Sequence, residues 1–127
     1  MAERQSFASV AGGLIIPVAK RQWMWADRMK TELLSEYDGT IPNDLESSFW
    51  MYLSLWLSLL YSVLEALREA EIRIASIQEL IDVNYEDLRI FRNHVVHVQP
   101  HNPGLIKSDL DDLVQLHDGV GKFLVEN

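Results

Sequence analysis

Ser47–Leu64 reads SSFWMYLSLWLSLLYSVL and carries no charge. An uncharged run of this length sits at the lower limit for crossing a bilayer. Three features point elsewhere: serines recur at 54, 58 and 62, Glu46 and Glu65 bracket the run, and no basic residue flanks it closely. The stretch therefore predicts a buried central helix, apolar almost all round, against which the other elements pack. Asn43 or Asp44 is its expected cap and its end is expected at about Ala70.

Upstream, Ala26, Met29, Leu33 and Tyr37 recur at steps of three and four with Trp23 and Trp25 beside them. That spacing predicts a helix over Val18–Tyr37, entered just after Pro17 and stopped at Asp38-Gly39. Downstream, Ser76–Ile81 reads as a short helical piece and Asp82–Tyr85 as a break or cap. A third helix is expected from Tyr85 to Val98, ahead of Pro100. Ser108 and Asp111 resemble a capping box, after which Leu113, Leu116, Val120 and Phe123 define a last helix. Gly119 and Gly121 should weaken it by about 1 kcal/mol each relative to Ala. His117, between Leu113 and Val120, reads as a packing residue.

No strand-like alternation and no internal repeat is found. The expected fold is all-α, an antiparallel four-helix bundle with one short extra helical piece. A length of 127 residues suits a single domain over 1–127, with 1–13 as a loose lead-in.

Composition narrows the chemistry. Apolar residues make up 48% and charged residues 24%, which rules out disorder as a description of the whole. The absence of cysteine removes disulfides, thiolate zinc sites, iron–sulfur clusters and cysteine nucleophiles. With 19 acidic against 11 basic side chains the formal charge is −8, so nucleic acid could be held only by a local basic patch. The opening MAERQSFASVAGGLIIPVAK lacks an apolar stretch long enough for a signal sequence, and a cytoplasmic location with no membrane association is expected.

One segment stands against the acidic average. Leu88–Ser108, LRIFRNHVVHVQPHNPGLIKS, holds Arg89, Arg92, His94, His97, His101 and Lys107 with no Asp or Glu. Wound as a helix, it gathers Leu88, Phe91, Val95 and Val98 into one arc facing the core. Arg89, Arg92, Asn93 and His97 are expected on the other side, with Val96 and Ile90 among them. Apolar residues on such a face imply that a second subunit covers it. Arg89 and Arg92 could equally pair with Glu86, Asp87 or a neighbouring helix. His97 could be no more than a favourable charge at a helix end.

Arg92-Asn93-His94-Val95-Val96-His97, within Tyr85–Asn93 and its continuation into a Pro-containing loop, resembles the Arg-polar-x-x-x-His signature of the HEPN superfamily. Members of that superfamily are small helical bundles, and many are metal-independent ribonucleases of toxin–antitoxin, defence or RNA-processing systems. The resemblance implies Arg92 as the phosphate-binding and transition-state-stabilising residue, Asn93 as an orienting group and His97 as the acid/base. Arg89, His101 and Lys107 would contact RNA. It also implies a homodimer with facing motifs, no cofactor and no metal, and a cognate antitoxin as partner. One family branch carries a tyrosine two positions after the histidine, where this chain has Gln99. His94, inside the motif, is extra and suits a rim or packing role.

Independent of any resemblance, cleaving RNA through its own 2′-hydroxyl needs a base, an acid and positive charge on the phosphorane. Imidazole suits the first two and guanidinium the third. Two other classes compete. His94, His97 and His101 step by three and four, which is a metal-ligand spacing, although Pro100 interrupts the helix and no carboxylate lies close in sequence. The acidic surface and aromatic-rich second helix would also suit a non-catalytic interaction or nucleotide-binding module, antitoxin-like or partner-binding.

Overall fold

The computed structural model describes residues 14–96 and 108–127, and of Val96 only the backbone. Among these residues there are four helices and no strand: α1 (Ile15–Glu36), α2 (Ser48–Glu69), α3 (Gln78–Val96) and α4 (Leu110–Glu126). They form a helical bundle in which α2 packs on α1 and α3, while α4 packs on α1 and more thinly on α3. Arg92 meets Tyr61 while Arg68 meets Tyr85, so α2 and α3 run in opposite directions. Trp23 meets Gly121 while Lys30 meets Asp118, and α1 and α4 are likewise antiparallel.

Several boundaries differ from expectation, each for a local reason. α1 starts at Ile15, because Pro17 is tolerated within a first turn whose N–H groups have no helical partner. The cap of α2 is Ser47, whose Oγ accepts from the Phe49 N–H; Asp44 instead accepts from Glu46 N–H within the preceding turn. At the other end, Ile72 N–H reaches Leu67 O and Glu71 N–H reaches Arg68 O. This is a Schellman motif, with Glu71 at φ 59° in the left-handed position where glycine is usual.

The break expected at Asp82–Tyr85 does not exist, and the short helical piece is not separate. α3 runs through both, since its polar residues are satisfied along the helix. Gln78 donates to Asp82 Oδ1, and Asn84 donates to Leu80 O. Asp109, not Ser108, caps α4 by accepting from Asp112 N–H at 2.9 Å.

α2 supplies much of the core, including Trp56, Leu57, Leu60, Tyr61 and Leu64. It is not enclosed all round: Met51 and Leu55 are exposed. By length and composition alone it could also cross a membrane. In α3, Leu88 and Phe91 face inward as expected, whereas Val95 is exposed; Val98 lies outside the described residues.

The glycines of α4 mark close approach. A Cβ on Gly119 would lie 2.7 Å from Ile77 Cγ2, and one on Gly121 would lie 2.1 Å from Trp23 Cζ2. What the helix loses in propensity it recovers by letting the indole of α1 approach its backbone closely.

His117 is fully buried, but it does more than pack. Its Nδ1 accepts from Trp56 Nε1 at 3.0 Å, so Nε2 carries the proton and donates to Asp27 Oδ1 at 3.0 Å. Trp23 donates to the His117 carbonyl at 2.9 Å and stacks on its ring. Lys30 completes the cluster, 3.0 Å from Asp118 and 3.3 Å from Asp27. Burial pushes the His117 imidazole below its usual pKa, against the hydrogen bond to Asp27. Burial acts upward on Asp27, but the hydrogen bond from His117 and the charge of Lys30 outweigh it and hold the carboxyl low. Three helices are thus fastened by one neutral imidazole.

Candidate anion site between α2 and α3

α3 is anchored by Leu88 and Phe91, and this sets the direction of its basic residues. Arg92 lies only ~40° around the helix from Leu88, so it flanks the core arc and is not opposite to it. It is half-buried, and its Nε is enclosed with no hydrogen-bond partner among the described residues. The guanidinium carbon sits 4.9 Å from the centroid of the Tyr61 ring, on α2. No carboxylate among the described residues forms an ion pair with it.

Arg89 is placed differently. Its Nε lies 3.0 Å from Glu86 Oε2, and a second contact joins Nη2 to Glu86 Oε1. The hydrogen bonds from Arg89 hold the Glu86 carboxyl below the usual range. Much of the Arg89 charge is therefore offset by Glu86.

Beneath Arg92, Tyr61 donates to Glu65 Oε2 at 2.8 Å, and its hydroxyl is 3.5 Å from that of Tyr85. Burial, then the hydrogen bonds to Tyr85 and Glu65, push the Tyr61 phenol above its ordinary pKa, so it stays protonated. Tyr61 and Tyr85 lie 5.3 Å apart, and Arg68 caps the far side with its Cζ 4.3 Å over the Tyr85 ring. The outcome is a row of contacts running Arg92, Tyr61, Tyr85 and Arg68 between two helices, the two rings tilted by 50°. It opens at one end on a groove of about 600 Å³, floored by Leu67, Ile72 and Ile81 and rimmed by Arg68, Glu71 and Glu86.

Of the residues singled out in the sequence, the structure brings Arg92 against Tyr61 and leaves Asn93 half-buried one position further along α3. His97, His101 and Lys107 lie outside the described residues, as does the metal reading of His94, His97 and His101. His94 Nδ1 bonds to Ile90 O at 2.8 Å, in line with a packing role. Among the described residues, no group of three or more His, Asp or Glu is placed to hold a metal ion. Sequence reasoning missed Tyr61, Glu65, Arg68 and Tyr85. Their signal was present: Tyr61, Glu65 and Arg68 step by four and three along one face of α2.

Comparison of the chain with protein-family models, with curated proteins and with solved structures gives no match.

Proposed function

We propose that this chain is a HEPN-like domain that cleaves RNA as a homodimer without a metal ion. The observation that supports this reading is the state of Arg92. A guanidinium seated on an aromatic ring, partly desolvated and with no carboxylate paired to it among the described residues, is a preformed partner for a phosphate. Arg89, three residues earlier, shows the ordinary alternative of a cation tied to a neighbouring acid.

In the proposed reaction His97 removes the proton of the 2′-hydroxyl, and that oxygen attacks the adjacent phosphorus. The bond from phosphorus to the 5′-oxygen breaks, and an imidazole returns a proton to the leaving oxygen. The product strand ends in a cyclic phosphate. Arg92 carries the charge that develops on the phosphorane, and Asn93 orients the groups around it. One chain offers a single histidine at the motif position, so a second copy facing the first would supply the other imidazole. A cytoplasmic toxin or defence role, with a cognate antitoxin, belongs to the same proposal.

Cleavage of an end-labelled RNA in EDTA by wild type, Arg92→Ala and His97→Ala tests it. Loss in both variants is expected, and equal rates in all three would overturn the assignment. A second reading, a non-catalytic partner-binding module, is favoured by Glu86 on Arg89 and Glu65 on Tyr61 in a chain of charge −8. A strictly monomeric protein with no cleavage would select it.

A further inference from the structure

The outer side of α1 carries a stripe at helical spacing, Pro17, Arg21, Met24 and Arg28, with Leu14 and Trp25 beside it. Met24 is 66% exposed and Trp25 51% exposed. Arg21 lies over the Trp25 ring, its Cζ 5.1 Å from the centroid. Neither Arg21 nor Lys20 forms an ion pair among the described residues. Of the acids of this helix, Asp27 is engaged by His117 and Lys30, Glu36 accepts from Ser48, and Glu32 pairs with Arg28 at 3.3 Å, which leaves the charges of Lys20 and Arg21. Leu88–Ser108 is therefore not the one basic region of the chain: α1 presents a second, and it pairs its charge with an exposed indole.

We propose that this face of α1 docks a single strand of nucleic acid. One base lies against Trp25, and Lys20 and Arg21 meet the phosphates on either side. Interleaving of cations with apolar residues is what such a strand offers contacts for, since base faces and phosphates alternate along it. A bilayer surface calls instead for apolar and basic residues on separate sides of the helix. α1 lies diagonally across the bundle from α3, so the surface shares no residue with Arg92 and does not rest on the nuclease reading.

The test is fluorescence anisotropy with a labelled single-stranded dodecamer of 2′-O-methyl RNA, which cannot be cleaved through its own 2′-oxygen. Wild-type full chain should bind it at low salt, Trp25→Ala should weaken binding about tenfold, and Arg21→Glu should weaken it and flatten the salt dependence. Both side chains are solvent-facing, and matching far-UV spectra would establish that the variants fold. The proposal is overturned if wild type does not bind, or if Trp25→Ala and Arg21→Glu bind like wild type. It is equally overturned if Trp25 is needed for sedimentation with phosphatidylglycerol vesicles but not for RNA binding. Cleavage of unmodified RNA is scored separately, so this surface and the nuclease reading can fail independently.

Discussion

Gly121 and Trp23 are in such close apposition that a methyl group on the glycine would sit 2.1 Å from Cζ2 of the indole. Gly121→Ala should therefore destabilise the bundle, although alanine favours a helix by about 1 kcal/mol. The half-buried indole must shift, and that also disturbs its hydrogen bond to the His117 carbonyl. A net loss of about 2 kcal/mol is expected, read as a lower urea midpoint with an unchanged slope.

Glu71 should show the opposite behaviour. It holds a left-handed conformation with φ 59°, closing the Schellman turn of α2. Glu71→Gly relieves the crowding of its Cβ and should stabilise the protein by about 1 kcal/mol. Glu71→Ala, which keeps the Cβ, should gain nothing by the same measurement.

His117 makes stability depend on pH. A proton on Nδ1 would face the Trp56 N–H, so the fold accepts only the neutral ring. Burial depresses its folded-state pKa below the ordinary 6.5. The stabilisation is thus complete above the unfolded value and is lost as the pH falls from there through the folded one. Across that window the slope should approach about 1.4 kcal/mol per pH unit. Urea midpoints from neutral to mildly acidic pH would check it, and His117→Gln should flatten the dependence.

Arg92 and Arg89 should separate in activity. Removing a preorganised cation at a developing charge costs on the order of a hundredfold or more in rate, and Arg92→Ala should lose that much RNA cleavage. Arg89→Ala, whose guanidinium already belongs to Glu86, should lose only a few-fold. Tyr61→Phe keeps the ring under Arg92 and should stay active, whereas Tyr61→Leu should not.

Helix number and type were legible because Ala26, Leu33, Leu113 and Val120 repeat at helical spacing and are buried as that spacing requires. The false break in α3 arose because Asp82 and Asn84 look like turn formers, and their satisfaction by Gln78 and Leu80 depends on side-chain geometry. His117 was read as inward, but its partners Trp56 and Asp27 are distant in sequence and no periodicity connects them. Arg92 was expected opposite the core arc, although its ~40° angle from Leu88 already places it on the flank. The ring beneath it could not be read, since Tyr61 reaches it only through the register of α2 against α3.

The imidazole fastening joins residues separated by 90 positions in the chain. Neighbouring helices α1 and α2 can associate through near-sequence encounters, whereas docking α4 must first close most of the polypeptide into a loop and so sacrifices more chain entropy. By that argument α4 should dock last, and amide exchange should be faster in α4 than in α2.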